Sequence, residues 1–391
     1  MLVLPFAQDR LMPSVVRMLD FMLIGIAWPL RVGSQVFGEV LLTLVVAGIN
    51  ENAAFMISDV IVSTHTDLWQ SGKEISYPTK PKAHISERMI AIDLVQKITE
   101  VCPGLYIGCS GDAACANRFV NFLRQAFSNR IATKQILDQA YSDYFSFHGA
   151  DEHLFSTLTL FQDEEHFYLM PHGNVHCGEI PELGQVFIIG SGASVFMKYL
   201  GNLPPEKRMA GINLHENLRV VSYVTEYVMN IMAIQNTTGL GISDGWGGAF
   251  ELVVCQENHL LKKLNNIMFV YLEWDEHDGR IRAFQVGKKY FQYYEEGDLI
   301  VISQYGEEAA DIHAILPVDA STKSGRTYPT AHVPQMLCML FIDRKTRKTY
   351  THIEYNQNGH EFCSVDHSEA GGYTVKFNTQ KIKAIIDILR S

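Results

Sequence analysis

The chain has 391 residues, 47% of them hydrophobic and 19% charged, and a formal charge of −11. That length can bury a sizeable core, as one large domain or two ordinary ones, and the composition is globular rather than disordered. The acidic balance, with no Lys/Arg-rich run and no basic amphipathic helix, excludes non-specific nucleic-acid binding, which needs a basic surface.

Residues 1–42 differ in character from the rest of the chain. The run 19–30 is apolar, but Pro29 and Arg31 close it well short of the roughly twenty residues a membrane span needs, so none is expected. It resembles a signal-peptide core, yet Arg10 and Arg17 give a thin basic flank and no small-x-small cleavage site comes after it. Three readings stay open: a pro-segment, an ordered packing extension, or translated sequence upstream of the true start.

Residues 43–49 are apolar and β-branched, Asn50-Glu51-Asn52 is turn chemistry, and 53–62 is a second apolar run, which predicts a strand pair. Residues 63–84 carry Pro78, Pro81 and three lysines and predict a loop. Strands are expected over 85–94, 95–101 and 105–109, the last two joined by a Cys102-Pro103-Gly104 turn. Residues 112–127 place Cys115, Phe119, Phe122, Leu123 and Ala126 at helical spacing, with Ser110 as the expected N-cap. A second helix is expected at about 133–146, and a hairpin over 154–161 and 166–170.

Thr43 opens the first strand, and Asp59 lies sixteen positions on (59 − 43). Lys97 lies on a later strand, and Gly111 comes fourteen positions after it (111 − 97). Further on, strand 185–189 enters Gly190-Ser191-Gly192 and another helix, and the best long helix runs over 216–234. Glycine-rich residues 239–248 then lead into strand 249–255. This set resembles the proteasome-type N-terminal-nucleophile hydrolases, and in style their bacterial relatives of the ancestral β type. In that family a Thr begins the first strand, an Asp ends the second and a Lys lies on a later one. A Gly N–H serves the oxyanion hole, and a Gly-Ser-Gly turn supports the nucleophile. The resemblance implies an α+β fold, a four-layer αββα sandwich over 43–263, and a smaller α+β appendage over 264–391. The Asp59-to-Lys97 stretch is longer than the family's.

The implied activity is amide or peptide hydrolysis by Thr43 once that residue is N-terminal, with Asp59, Lys97, Gly111 and Ser191 in supporting roles. A shifted Asp244 stands in for a further acid that the family places before the last strand. At a true N-terminus the α-amine, with a pKa near 8, is the base for the hydroxyl. No cofactor and no metal are expected: His172-x-x-x-His176-Cys177 has metal-like spacing, but Pro171 and Gly173 keep it off a helix. Peptide or protein substrates and a homo-oligomeric ring or spiral are implied. An unfoldase partner is left open. The rival readings are a catalytically silent copy of the fold used for binding or assembly, and a small-molecule amidase.

Beyond 264 the resemblance stops. Strands are expected over 267–274, 280–286, 299–304 and 336–341, with 347–355 pairing onto the last. Strand 373–377 and a helix capped by Asn378 or Thr379 end the chain. Seven cysteines, an odd set without a C-x-x-C pair, fit free thiols in a reducing cytoplasm.

Overall fold

A computed structural model describes residues 40–41, 43–50, 53–65, 75–80, 89–128, 130–163, 166–180, 183–202, 208–209, 216–239, 241, 244–255, 260–277, 280–306, 308–317, 334–346, 349–355, 363–367 and 373–390. The expected 19–30 segment lies outside these residues, as does much of the 63–84 loop.

In chain order, β1 (Val40–Leu41), β2 (Val45–Asn50), β3 (Ala53–Asp59), β4 (Ile61–His65), β5 (Met89–Gln96), β6 (Ile98–Cys102) and β7 (Leu105–Asp112) lead into α1 (Ala113–Ala126) and α2 (Lys134–Phe147). After them come β8 (Phe155–Asp163), β9 (His166–His172), β10 (His176–Ile180) and β11 (Gly184–Ile189). Next are α3 (Ala193–Asn202), β12 (Arg208–Met209), α4 (Glu216–Thr238), β13 (Phe250–Cys255) and β14 (Leu261–Lys263). β15 (Ile267–His277), β16 (Arg280–Glu295), β17 (Asp298–Tyr305) and β18 (Asp311–Pro317) precede β19 (Met336–Asp343) and β20 (Thr349–Tyr355). β21 (Cys363–His367), β22 (Tyr373–Phe377) and α5 (Thr379–Arg390) complete the described chain.

Three large sheets organise these elements. A five-stranded sheet has the order β1-β7-β8-β9 with β6 also on β7, and a six-stranded sheet runs β10-β11-β2-β3-β13-β14. The third has nine strands, β12-β20-β19-β15-β16-β17-β18-β5-β4. The first two pack face to face, with Val45, Ala47, Met56 and Val253 meeting Ile98, Tyr106, Leu158 and Leu160. α1 and α2 cover the far side of the five-stranded sheet through Phe119, Leu123, Leu137 and Tyr144.

The four-layer αββα expectation is overturned here. Among the described residues strands dominate, 22 against five α-helices. α4 is not an outer layer: Val46, Phe55 and Ile57 of the six-stranded sheet pack on one side of it, and Phe269, Tyr271, Cys338 and Leu340 of the nine-stranded sheet on the other. The far face of that third sheet is itself covered by Ile382, Ile385 and Ile386 of α5. α4 carries buried residues over most of its circumference (Val220, Val221, Val224, Tyr227, Val228, Met229, Ile231 and Met232), with the stripe through Tyr223, Glu226, Asn230 and Ala233 half-buried, as fits a helix clasped between two sheets.

The boundary expected at 263 falls between β14 and β15. β4 and β5, from before it, belong to the nine-stranded sheet, where β5 pairs with β18 at Val95 and Leu316. α1 is capped by Asp112, whose carboxylate accepts from the Cys115 N–H, in place of the expected Ser110, because β7 runs on to Asp112. No described helix is long and apolar enough to cross a membrane.

Candidate functional site

β3 is buried along its whole length, a central strand covered on both faces, and its last residue is Asp59. β2 pairs antiparallel beside it, Val45 opposite Ser58, so Thr43, two residues before β2, is carried to the Asp59 end. The Asp59 N–H donates to the Leu44 carbonyl at 3.1 Å, which fixes this register. Lys97 comes from elsewhere: it is the single residue between β5 and β6, where the chain leaves the nine-stranded sheet for the five-stranded one.

These three side chains meet. Asp59 Oδ1 accepts from Thr43 Oγ1 at 2.9 Å, from the Leu44 N–H at 2.8 Å and from Lys97 Nζ at 2.8 Å. Lys97 Nζ also donates to the Ile61 carbonyl at 2.6 Å. The other oxygen, Oδ2, accepts from the Gly247 N–H at 2.9 Å. The Thr43 residue and both charged side chains are 0% exposed, so the ion pair is shielded from solvent and its geometry, not screening, sets its strength. Burial pulls the Lys97 ammonium below its usual range; the charge and hydrogen bond of Asp59, and then the charge of Glu251, oppose that pull.

Gly111 and Ser191 line one cavity of about 630 Å³ with Gly190, His172 and Asn174. Gly111 has φ +105, a left-handed backbone that favours glycine. β8 takes one edge of β7, and on the other β1 pairs with Gly111 and Asp112, Leu41 standing opposite Gly111. Residues 40–41, ahead of Thr43, thus run along the Gly111 edge of β7. Gly190 approaches the Thr43 carbonyl too closely for a Cβ, and the Gly192 N–H donates to that carbonyl at 3.2 Å. Ser191 Oγ reaches the same carbonyl at 3.5 Å, a marginal hydrogen bond.

Asp244 is exposed, and it is the backbone of Gly247, three residues later, that touches Asp59. Sequence reasoning missed the residues that shape this loop. Gln235, buried on α4, accepts at Oε1 from Thr79 Oγ1 at 3.1 Å and the Gly248 N–H at 3.4 Å. Its amide lies where a Cβ on Gly247 would have to go, and Gly247 itself has φ +123. A Gln at the head of the polar Gln-Asn-Thr-Thr end of a helix gives no pattern from which this could be read.

His172 ends β9 in one sheet and stacks on Phe145 at 4.3 Å, whereas His176 and Cys177 belong to β10 in another. Among the described residues no group of three or more His, Cys, Asp or Glu is placed to hold a metal. Compared with known proteins, the chain matches no family model and no curated protein sequence.

Proposed function

We propose that this protein is an N-terminal-threonine amide or peptide hydrolase of the proteasome-like type, with Thr43 as nucleophile once it is the first residue. The observation that carries the reading is the buried Thr43–Asp59–Lys97 cluster, in which hydroxyl, carboxylate and ammonium share one oxygen. The Thr43 oxygen attacks the amide carbon and its proton passes to the freed α-amine. That proton then goes to the leaving nitrogen, leaving an ester on Thr43. Water, activated by the same amine, cleaves the ester and releases a carboxylic acid. Lys97 favours the alkoxide, Asp59 holds Lys97, and the backbone N–H groups at Gly111 receive the oxyanion, worth on the order of 3 kcal/mol per donor in other hydrolases. Peptide or protein substrates, a homo-oligomeric ring or spiral and a cytoplasmic setting belong to the same proposal.

One observation favours a second reading, a catalytically silent binding or assembly module. Thr43 is fully buried, and β1 ahead of it runs along the Gly111 edge. The test is intact-mass analysis of protein from its native host, combined with assay on short chromogenic amides. The hydrolase reading expects a chain beginning at Thr43 whose turnover is lost in Thr43→Ala. An inert chain that retains the earlier residues supports the module.

A further inference from the structure

β13 is buried at every one of its six residues, and one of them is a carboxylate: Glu251 is 0% exposed. A charge in such a strand is costly unless each oxygen is engaged, and the proposed chemistry makes no use of it. Both oxygens are engaged. Oε2 accepts from the Lys97 N–H at 2.5 Å and the Ile98 N–H at 3.0 Å. Oε1 accepts from Lys263 Nζ at 2.8 Å, and that ammonium also donates to Gln96 Oε1 at 2.8 Å. At residues 97 and 98 the chain crosses between two sheets, so their N–H groups turn to a side chain for an acceptor. One carboxylate therefore fixes the backbone from which Lys97 reaches Asp59.

We infer that Glu251 is a positioning residue of the Thr43 site, a second carboxylate that anchors the Lys97 backbone and sets its charge against that residue. This rests on the hydrolase reading above. The groups facing Lys97 are Asp59, with Thr43 on it, on one side and Glu251, with Lys263 on it, on the other. The Tyr294 hydroxyl lies beside Glu251, and Tyr106 lies beyond it. Burial raises both tyrosines well above their usual range, so neither ionises across the pH range of interest. Lys263 is the partner that leads outward: its side chain is 20% exposed and lines a cavity of about 710 Å³.

The test is an NMR titration of the Lys97 side chain in the full chain, carbon-13 labelled at lysine and assigned with Lys97→Arg. Glu251→Gln keeps an oxygen for the two N–H groups but removes the charge, and it is expected to lower the Lys97 titration midpoint by half a unit or more. Lys263→Met, the second variant, leaves Glu251 in place and removes its counter-charge, and it is expected to raise the midpoint. In active protein the alkaline limb of kcat/KM moves with the midpoint in each variant. A Lys97 midpoint unmoved in both variants overturns the inference. Full activity in Lys97→Ala would instead sink the hydrolase reading, whatever the Glu251→Gln titration gave.

Discussion

Oδ1 of Asp59 receives a hydroxyl, a backbone N–H and an ammonium, so this one atom ties the start of β2 to the β5–β6 junction. Its removal as a charge has a defined consequence. Asp59→Asn leaves the fully buried Lys97 without its counter-ion and is expected to cost about 3 kcal/mol or more in urea unfolding. An undiminished midpoint would mean that the ion pair does not hold this junction. Thr43, Asp59 and Lys97 could be singled out because their types and intervals match those of the family the sequence resembles. Glu251 and Gln235 could not: one is a lone charge in an apolar run, the other opens the polar Gln-Asn-Thr-Thr end of a helix, and only the fold reveals which N–H groups each serves. His313, on β18, is a separate case at this scale. It is 8% exposed with Nε2 unpartnered, and burial pushes it down to about 4, with Lys288 adding to the fall and Asp311 opposing it. Its folded pKa lies below the unfolded 6.5, so its stabilising contribution is present above pH 6.5 and lost as pH falls through about 4. Denaturant midpoints are expected to drop over that window by the equivalent of about 3 kcal/mol, and the drop should shrink in His313→Phe.

The glycine-rich stretch after α4 offers Asp244 as its candidate in sequence, yet what it delivers to the site is the Gly247 N–H on Asp59 Oδ2. Gln235 is the residue it folds over. In Gln235→Ala, Thr79 Oγ1 and the Gly248 N–H lose their acceptor, at a cost of about 1–3 kcal/mol. The proposed activity should fall further than stability alone explains, because Gly247 loosens. Equal activity at a temperature where the variant stays folded would separate this loop from the chemistry. Most strands and helices were legible from period and turn chemistry, because β2, β3, α1, α2 and α4 carry strong local patterns. Their ends were less so. β7 extends to Asp112 through β8 pairing and β1 contact, and no local signal in Cys109-Ser110-Gly111 marks that extension.

Across the whole molecule the sequence resemblance stops at about 264, but the fold does not divide there. β15 pairs in parallel with β19, from Ile267 opposite Met336 to Trp274 opposite Asp343, and β5 reaches β18 from more than two hundred positions away. Such non-local pairing leaves no periodic trace, so the third sheet was legible as strands and not as a layer over α4. That layer is tied down by the Tyr271 hydroxyl on the Met229 carbonyl at 2.8 Å and by Thr351 Oγ1 on Glu226 at 2.8 Å. Residues 43–263 expressed alone would expose the apolar face of α4 and the free edge of β5. The expected result is aggregation or a non-cooperative melt by circular dichroism. A monomer with a sharp transition would show that the first two sheets stand without the third.

The most direct measurement is an acid quench of the protein during turnover of a short amide, with peptide mapping of the trapped acyl group by mass spectrometry. If one threonine supplies both nucleophile and base, the acyl group sits on the Thr43 oxygen of chains whose first residue is Thr43. Sustained hydrolysis by chains in which Thr43 is still joined to Leu42 and carries no acyl group would contradict that assignment.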